Sequence, residues 1–460
     1  MDVHISLEGR GDLAAQVYRQ LLDAILDGRL RSGERLPPTR QLAHRLQISR
    51  NTVALAYDRL VADGFLVGRA GAGTFVSAEP VRGRAAPKGV VRPRPIWREV
   101  DTPAPLPSTR YDFRVGVPDA RLFPMETWRR LVARELRVSA AGYSDPAGHI
   151  PLRAAISRHI GVSRSVHAGP DDVLITNGAQ QALDLIGRVL IEPGACVAVE
   201  EPGYPPARRL FRSLGARVAG VPVDEEGIDV RAIPGSARIV YVTPSHQFPL
   251  GTPMSLARRA ALLAWAERRN AVIIEDDYDS EFRFGARPLE PLQSLDRAGR
   301  VIYVGSFSKT LLPMLRLGFL VSPASLGPAL RAAKHLSDWH GEVPTQAALA
   351  RFIDEGLLAR HIRKATRVYA ARHTMIAEEL AADVRLVPSS VGLHVCALGV
   401  SVRPTPGLTV EPLEAYCGES PPQRGLVLGY GAITLDDLPE GLRLLKSRMS
   451  AGPEAAAPRP

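Results

Sequence analysis

The chain has 460 residues, of which 45% are hydrophobic and 23% charged, with a formal net charge of +10. That length exceeds what one compact core accommodates, so at least two domains are expected, and no apolar run reaches the about 18 residues that a membrane-crossing helix needs. A pI near 9.8 is compatible with a polyanionic partner, while Cys196, Cys396 and Cys417 are too scattered for a disulfide framework or a metal site and the N-terminus lacks a basic-then-apolar leader, which together predict a cytoplasmic protein.

In chain order, residues 1–78 predict a small helical unit closed by a hairpin. Leu13, Val17, Leu21, Leu22 and Ile25 recur at helical spacing, and Gly28 closes that helix. A second helix follows Leu36-Pro37-Pro38, with Thr39 expected as its N-cap and Leu42, Ala43 and Leu46 on its apolar face. A third opens at Ser49, expected as N-cap, and turns Val53, Ala56, Tyr57 and Leu60 inward until Gly64. Phe65-Leu66-Val67 and Thr74-Phe75-Val76 predict two strands around Gly68, Gly71 and Gly73.

Residues 79–110 crowd prolines with Arg82, Arg84, Lys88, Arg92, Arg94 and Arg98, the composition of a stiff, basic linker. From 111 to 450 helical and strand patterns alternate. Val173-Leu174-Ile175, Cys196-Val197-Ala198-Val199, Ile239-Val240-Tyr241-Val242, Val272-Ile273-Ile274 and Val301-Ile302-Tyr303-Val304 are fully apolar, as strands buried on both faces are. The intervening segments Gln180 to Leu190 and Leu256 to Arg269 read as helices, giving an α/β domain with a largely parallel sheet. The Ala- and Pro-rich tail 451–460 is expected to be disordered.

Two constellations carry chemistry. Ser49, Arg50, Asn51 and Thr52 place hydrogen-bonding side chains at the start of a helix, where a major-groove reader needs them. Arg40 can clamp the backbone, and the glycine-rich hairpin with Gly73 can approach DNA closely. Far downstream, Lys309 follows Ser306 and Ser308 and precedes Arg316. A lysine amine can form an imine with an aldehyde cofactor such as pyridoxal phosphate, given a carboxylate for the ring nitrogen, a phenol for the ring oxygen and a cup for the phosphate. Glu275-Asp276-Asp277-Tyr278, Asn177-Gly178-Ala179-Gln180 and Gly203-Tyr204 stand after strands, where open α/β sheets bind ligands.

The pattern from Gly33-Glu34-Arg35-Leu36-Pro37-Pro38 through Ser49-Arg50-Asn51-Thr52 to Gly71-Ala72-Gly73-Thr74-Phe75-Val76 resembles the winged helix-turn-helix of the GntR regulators. Residues from about Tyr111 to Arg448 resemble the fold-type I aminotransferases, and the whole chain resembles the MocR subfamily of GntR regulators. The resemblance implies an N-terminal all-α winged helix-turn-helix domain joined to an α/β aminotransferase-like domain that binds pyridoxal phosphate. It makes Lys309 the Schiff-base lysine, Asp276 the partner of the pyridine nitrogen with Asp277 as the alternative, and Tyr278 the partner of the ring oxygen. Gly178, Ala179, Gln180, Ser306, Ser308 and Arg316 would form the phosphate cup, Tyr204 would stack on the ring, and Tyr143 would reach a neighbouring subunit's phosphate, which implies a homodimer with shared sites, and the resemblance further implies domain-swapped heads.

Two departures from the aminotransferase pattern stand out. In Ser245-His246-Gln247-Phe248-Pro249-Leu250-Gly251, Phe248 occupies the place of the asparagine that tunes the ring oxygen, with His246 or Gln247 as substitutes. In Leu426-Val427-Leu428-Gly429, Val427 occupies the place of the arginine that grips a substrate carboxylate, and Arg424 is off register. The expectation is therefore a transcriptional regulator that binds operator DNA and senses pyridoxal phosphate, an amino acid or an amine. The alternatives are an aminotransferase for 2-aminoadipate or a similar amino acid, and a DNA-binding protein whose large domain is a dead scaffold.

If Arg50 reads a base, Arg50→Ala weakens specific DNA binding by about 1–3 kcal/mol while sparing random DNA. Equal losses on operator and random duplexes would reassign Arg50 to a phosphate.

Overall fold

The computed structural model describes residues 5–7, 12–77, 90–100, 109–136, 142–285, 290–418 and 421–451. The chain divides into two compact units, Met1–Pro93 and Arg94–Pro460. Much of the expected linker and all of the expected disordered tail beyond Ala451 lie outside the described residues. Within the linker, Ile96–Glu99 forms a helical turn, and Arg94 Nη2 donates to the Ser213 carbonyl at 3.2 Å. Among the described residues no helix is long and apolar enough to cross a membrane.

The first unit is built from helices Leu13–Leu26, Thr39–Leu46 and Arg50–Ala62 and an antiparallel hairpin, Leu66–Arg69 with Gly73–Val76. Asp12 caps the first helix by accepting from the Ala15 amide at 3.1 Å. Ser49 caps the third by accepting from the Thr52 amide at 3.1 Å, which satisfies an amide that the helix itself leaves orphaned. Thr39 differs from expectation. It is the first helical residue, Pro38 holds the cap position, and no side chain caps that end. Val17, Leu21, Val53, Ala56, Leu60, Leu66 and Val76 form the core between the helices and the hairpin. The Tyr57 hydroxyl donates to the Pro37 carbonyl at 2.9 Å and ties the third helix to the entry of the second.

The second unit is centred on an eight-stranded sheet in the order Val173–Thr176, Gly318–Val321, Val301–Ser306, Val272–Asp277, Ala237–Val242, Cys196–Glu201, Arg217–Asp224, Gly227–Ile228. All five expected strands are in it. The five from Val301–Ser306 to Arg217–Asp224 are mutually parallel. Gly318–Val321 runs antiparallel to both its neighbours, so the sheet is mixed.

Alternate residues divide the strands between two faces. Val197, Val199, Tyr241, Ile274 and Val304 pack against helices Ala179–Leu190, Pro205–Ser213 and Gly327–Asp338. Cys196, Ala198, Val240, Ile273 and Val301 pack against Leu256–Arg269 on the other face. Beyond the main sheet, a four-stranded antiparallel sheet, Arg385–Leu386, His394–Leu398, Gly425–Gly429 and Glu411–Pro412, packs on helices Leu357–Leu380 and Leu438–Arg448.

The same alternation sets adjacent acids apart. Asp277 turns toward helix Ile150–Arg164, where its Oδ2 accepts from Arg164 Nε at 2.8 Å and from the Tyr303 hydroxyl at 2.6 Å. Both members of the pair are buried. Removing the cation leaves an uncompensated buried carboxylate, so Arg164→Ala is expected to cost the second unit about 3–5 kcal/mol in urea unfolding, and a loss below about 1 kcal/mol would contradict that.

Candidate functional site

A cavity of about 530 Å³ opens at the carboxyl ends of the parallel strands. Thr243, Asp276, Tyr278, Asp279 and Ser306 line it from the strand ends, with Ser308, Lys309 and Arg316 from the loop that follows. Ala179 and Gln180 contribute the start of helix Ala179–Leu190, and Tyr204 precedes helix Pro205–Ser213. Val115, Gly116, His394, Glu411 and Tyr416 close the opposite wall.

Lys309 Nζ donates to the Gly116 carbonyl at 2.8 Å. A Cβ at position 116 would stand 2.6 Å from that nitrogen, and Gly116 has φ +79°, so only glycine leaves the amine its place. Burial holds the Lys309 ammonium below the ordinary lysine value, against the opposing pull of Asp279 and Asp276. An amine so placed is readily deprotonated into a nucleophile.

Asp276 faces the cavity from the side of the strand opposite Asp277. Its Oδ2 accepts from the Tyr241 hydroxyl at 2.7 Å, while its Oδ1 is buried without a partner. Burial pushes its carboxyl up to about 7, partly offset by the Tyr241 hydrogen bond. A protonated ring nitrogen would give Oδ1 a donor and restore the charged carboxylate.

The start of helix Ala179–Leu190 has no side-chain cap, so its first amides are open to an anion at the positive end of the helix dipole. Arg316 Nη2 donates to the Asn177 carbonyl at 2.7 Å, directly behind those amides. A Cβ on Gly178, whose φ is +78°, would come within 2.7 Å of Arg316 Nη2, so the glycine leaves the guanidinium its room. Ser306 Oγ accepts from the Ser308 amide at 3.1 Å and fixes the turn that carries both hydroxyls. Donor type, charge and position all fit a phosphate group.

The structure thus brings Ala179, Gln180, Tyr204, Asp276, Tyr278, Ser306, Ser308, Lys309 and Arg316 to one cavity. Other expected residues lie elsewhere. Gly178 acts from behind the wall. His246 is buried behind Tyr278, with ring centroids 5.9 Å apart, and is not part of the lining. Its Nδ1 lies 3.1 Å from each Asp279 oxygen, and its carbonyl accepts from the Tyr278 hydroxyl at 2.9 Å, so it positions the tyrosine. Gln247 is spent on the Pro202 and Phe248 carbonyls. Tyr143 is 80% exposed, with its ring 4.3 Å from that of Trp339. Val427 is fully buried against Leu250, Cys396, Leu413 and Tyr416, and Arg424 is exposed.

Sequence reasoning missed Gly116, Tyr241, Asp279, His394, Glu411 and Tyr416. Tyr241 lies inside an apolar strand run, Asp279 stands one residue beyond the Glu275-Asp276-Asp277-Tyr278 motif, and Gly116, His394, Glu411 and Tyr416 come from segments without a motif. His246, Asp279 and His394 offer atoms within 4.8 Å of one another, but His394 Nε2 is engaged with the Pro249 carbonyl at 3.1 Å.

In the first unit, Arg40, Ser49, Arg50 and Asn51 are exposed and Thr52 is half-buried. Ser49 Oγ lies 2.8 Å from Thr52 Oγ1, so both hydroxyls serve the cap, while Asn51 and the guanidinium of Arg50 stand at the helix start. Leu55 on the same helix is 63% exposed, so this face is left uncovered within the unit. Gly73, with φ +113°, closes the hairpin against Arg35, whose Nε would lie 2.9 Å from a Cβ there.

Comparison with known proteins matches residues 112–401 to the family "Aminotransferase class I and II" and residues 13–76 to "Bacterial regulatory proteins, gntR family". The chain is 38% identical to the probable rhizopine catabolism regulatory protein MocR of Rhizobium meliloti, over 95% of this chain and 93% of that protein. It is 32% identical to the pyridoxine biosynthesis transcriptional regulator PdxR of Corynebacterium glutamicum, over 96% of each. Among solved structures, it superposes on the α-aminoadipate aminotransferase LysN of Thermus thermophilus with a TM-score of 0.65 and 31% identity, covering 73% of this chain and 90% of that one. The kynurenine aminotransferase of Pyrococcus horikoshii gives 0.67 and 28%, covering 74% and 91%.

Asp276→Asn removes the charge that a protonated ring nitrogen would meet. It is expected to weaken uptake of pyridoxal phosphate by about 1.5–3 kcal/mol and to shift the absorbance of what binds. Unchanged affinity and spectrum would take the ring nitrogen away from Asp276.

Proposed function

The chain belongs to the MocR-type regulators of the GntR family, and on that premise we propose that ligand binding in the large unit's cavity controls how the N-terminal unit engages operator DNA. It is a DNA-binding transcriptional regulator whose aminotransferase-like domain binds pyridoxal phosphate. In this reading Lys309 holds the cofactor covalently and Asp276 Oδ1 accepts from the ring nitrogen. Tyr278 serves the ring oxygen, and Tyr204 covers the ring. The amides of Ala179 and Gln180, the hydroxyls of Ser306 and Ser308, and Arg316 hold the phosphate. When bound, the cofactor supplies an electrophilic carbon beside Lys309 and a ring that withdraws electrons. The observation that carries the reading is the meeting of the buried Lys309 amine and the partnerless Asp276 oxygen in one cavity.

On the DNA side, Arg40, Ser49, Arg50, Asn51, Thr52 and Gly73 form the proposed contact surface. Arg50 and Asn51 read bases, and the others contact the backbone. The chain acts in the cytoplasm, as a homodimer in which the exposed Tyr143 reaches the partner's phosphate site.

Two kinds of signal suit the cavity: the cofactor itself, or an amine or amino acid that displaces Lys309 from it. Either acts only through unequal affinity for the DNA-competent and incompetent states. The likeness to an α-aminoadipate aminotransferase favours a second reading, in which the domain also turns over an amino acid. Val427, buried where a carboxylate-gripping arginine would stand, weighs against it.

In the test, purified protein is titrated with pyridoxal phosphate while operator binding and near-visible absorbance are both followed. The wild type gains an absorbance band and changes its operator affinity, and Lys309→Ala loses both responses while still binding DNA. A Lys309→Ala variant that responds like the wild type would overturn the assignment.

A further inference from the structure

Among the described residues, Glu411 is the cavity's one acid on the wall opposite the strand ends. It lies on strand Glu411–Pro412, an edge of the antiparallel sheet. Its Oε1 accepts from the Val115 amide at 2.8 Å, and its Oε2 accepts from the Tyr416 hydroxyl at 2.5 Å. The neighbouring Gly116 carbonyl accepts from Lys309 Nζ. Carboxylate and amine are therefore held by consecutive residues of one segment, and the charge of Glu411 is felt at Lys309.

Two of the region's three arginines are engaged elsewhere. Arg114 donates from Nε to both Asp112 oxygens at 2.9 Å and is not part of the cavity lining. Arg316 lies by the open helix start, on the Asn177 carbonyl. Arg209 lines the cavity from helix Pro205–Ser213, where it is exposed.

A ligand amine that takes the place of Lys309 would carry its substituents into the cavity that Glu411 lines. A carboxylate on the amine-bearing carbon would meet a like charge there, and no arginine comes from Val427 to offset it. A hydroxyl or a second ammonium would find an acceptor that has lone pairs left after two hydrogen bonds. We propose that this cavity selects a primary amine bearing a hydrogen-bond donor and no carboxylate on its amine-bearing carbon, an amino alcohol or a diamine, and that Glu411 is the residue that makes the selection. This rests on the cofactor reading above and narrows its ligand class by exclusion as much as by attraction.

The test uses the full chain loaded with pyridoxal phosphate, titrated with ethanolamine and with L-serine, which differ only by the carboxylate. Binding is read from the cofactor's absorbance and from operator affinity. Ethanolamine is expected to bind about tenfold or more tightly than L-serine, and Glu411→Gln to close most of that gap, each variant's cofactor content being measured first. Should that variant fail to fold, the wild-type ratio decides alone. L-Serine binding as well as ethanolamine to loaded protein would overturn the inference and point to Arg209 as a carboxylate grip, leaving the cofactor reading intact. Wild-type protein that takes up no cofactor would overturn both.

Discussion

Asp276 sets a carboxylate in a buried position where the surrounding protein offers a partner to only one of its two oxygens. A buried charge without its full set of donors is costly, and the carboxyl responds by holding its proton to about 7. The neighbour one residue on, Asp277, also leaves its Oδ1 without a partner, but its Oδ2 is paired with a buried cation and a hydroxyl, Arg164 and Tyr303. The pleat of a single strand separates a structural acid from an acid kept open for a ligand. The geometry around Lys309 follows the same logic. Its amine is enclosed, drawn below its ordinary pKa and aimed at a carbonyl that it can release.

The rest of the second unit delivers groups to that point. Parallel strands end together, so the residues after Val272–Asp277 and Val301–Ser306 meet although some thirty positions separate them in the chain. The helix that begins at Ala179 faces its amides toward the same place, and the glycines at 116 and 178 exist to let a lysine and an arginine through. Nothing in this arrangement requires turnover. A site that binds an aldehyde and has a buried valine, Val427, in place of the usual carboxylate grip suits the sensor proposed above.

Much of this was legible in the sequence because it is local. Five apolar runs marked five strands, Ser49 marked a helix start, and the residues after each strand marked one wall of the cavity. What failed was non-local or ambiguous in period. Gly318–Val321 begins on a glycine and carries no run that announces it, and its antiparallel course follows from a return through residues 307–317 that no periodicity encodes. Thr39 had a capping side chain in a capping position, yet Pro38 took that position. His246 carried a ligand-like side chain, but burial set it behind Tyr278. Asp276 and Asp277 could not be told apart until strand phase was fixed. The far wall, with His394, Glu411 and Tyr416, comes from an antiparallel sheet and the helical turn Leu413–Tyr416 beside it, more than a hundred residues downstream of the motif-bearing strand at Val272–Asp277, and carries no pattern of its own.

The central claim is chemical: one named lysine holds the cofactor. Borohydride reduction of protein incubated with pyridoxal phosphate, followed by proteolysis and peptide mass analysis, tests it directly. The account predicts a reduced pyridoxyl group fixed on Lys309 and on no other lysine. An unlabelled peptide containing Lys309, or label spread over surface lysines, would contradict it.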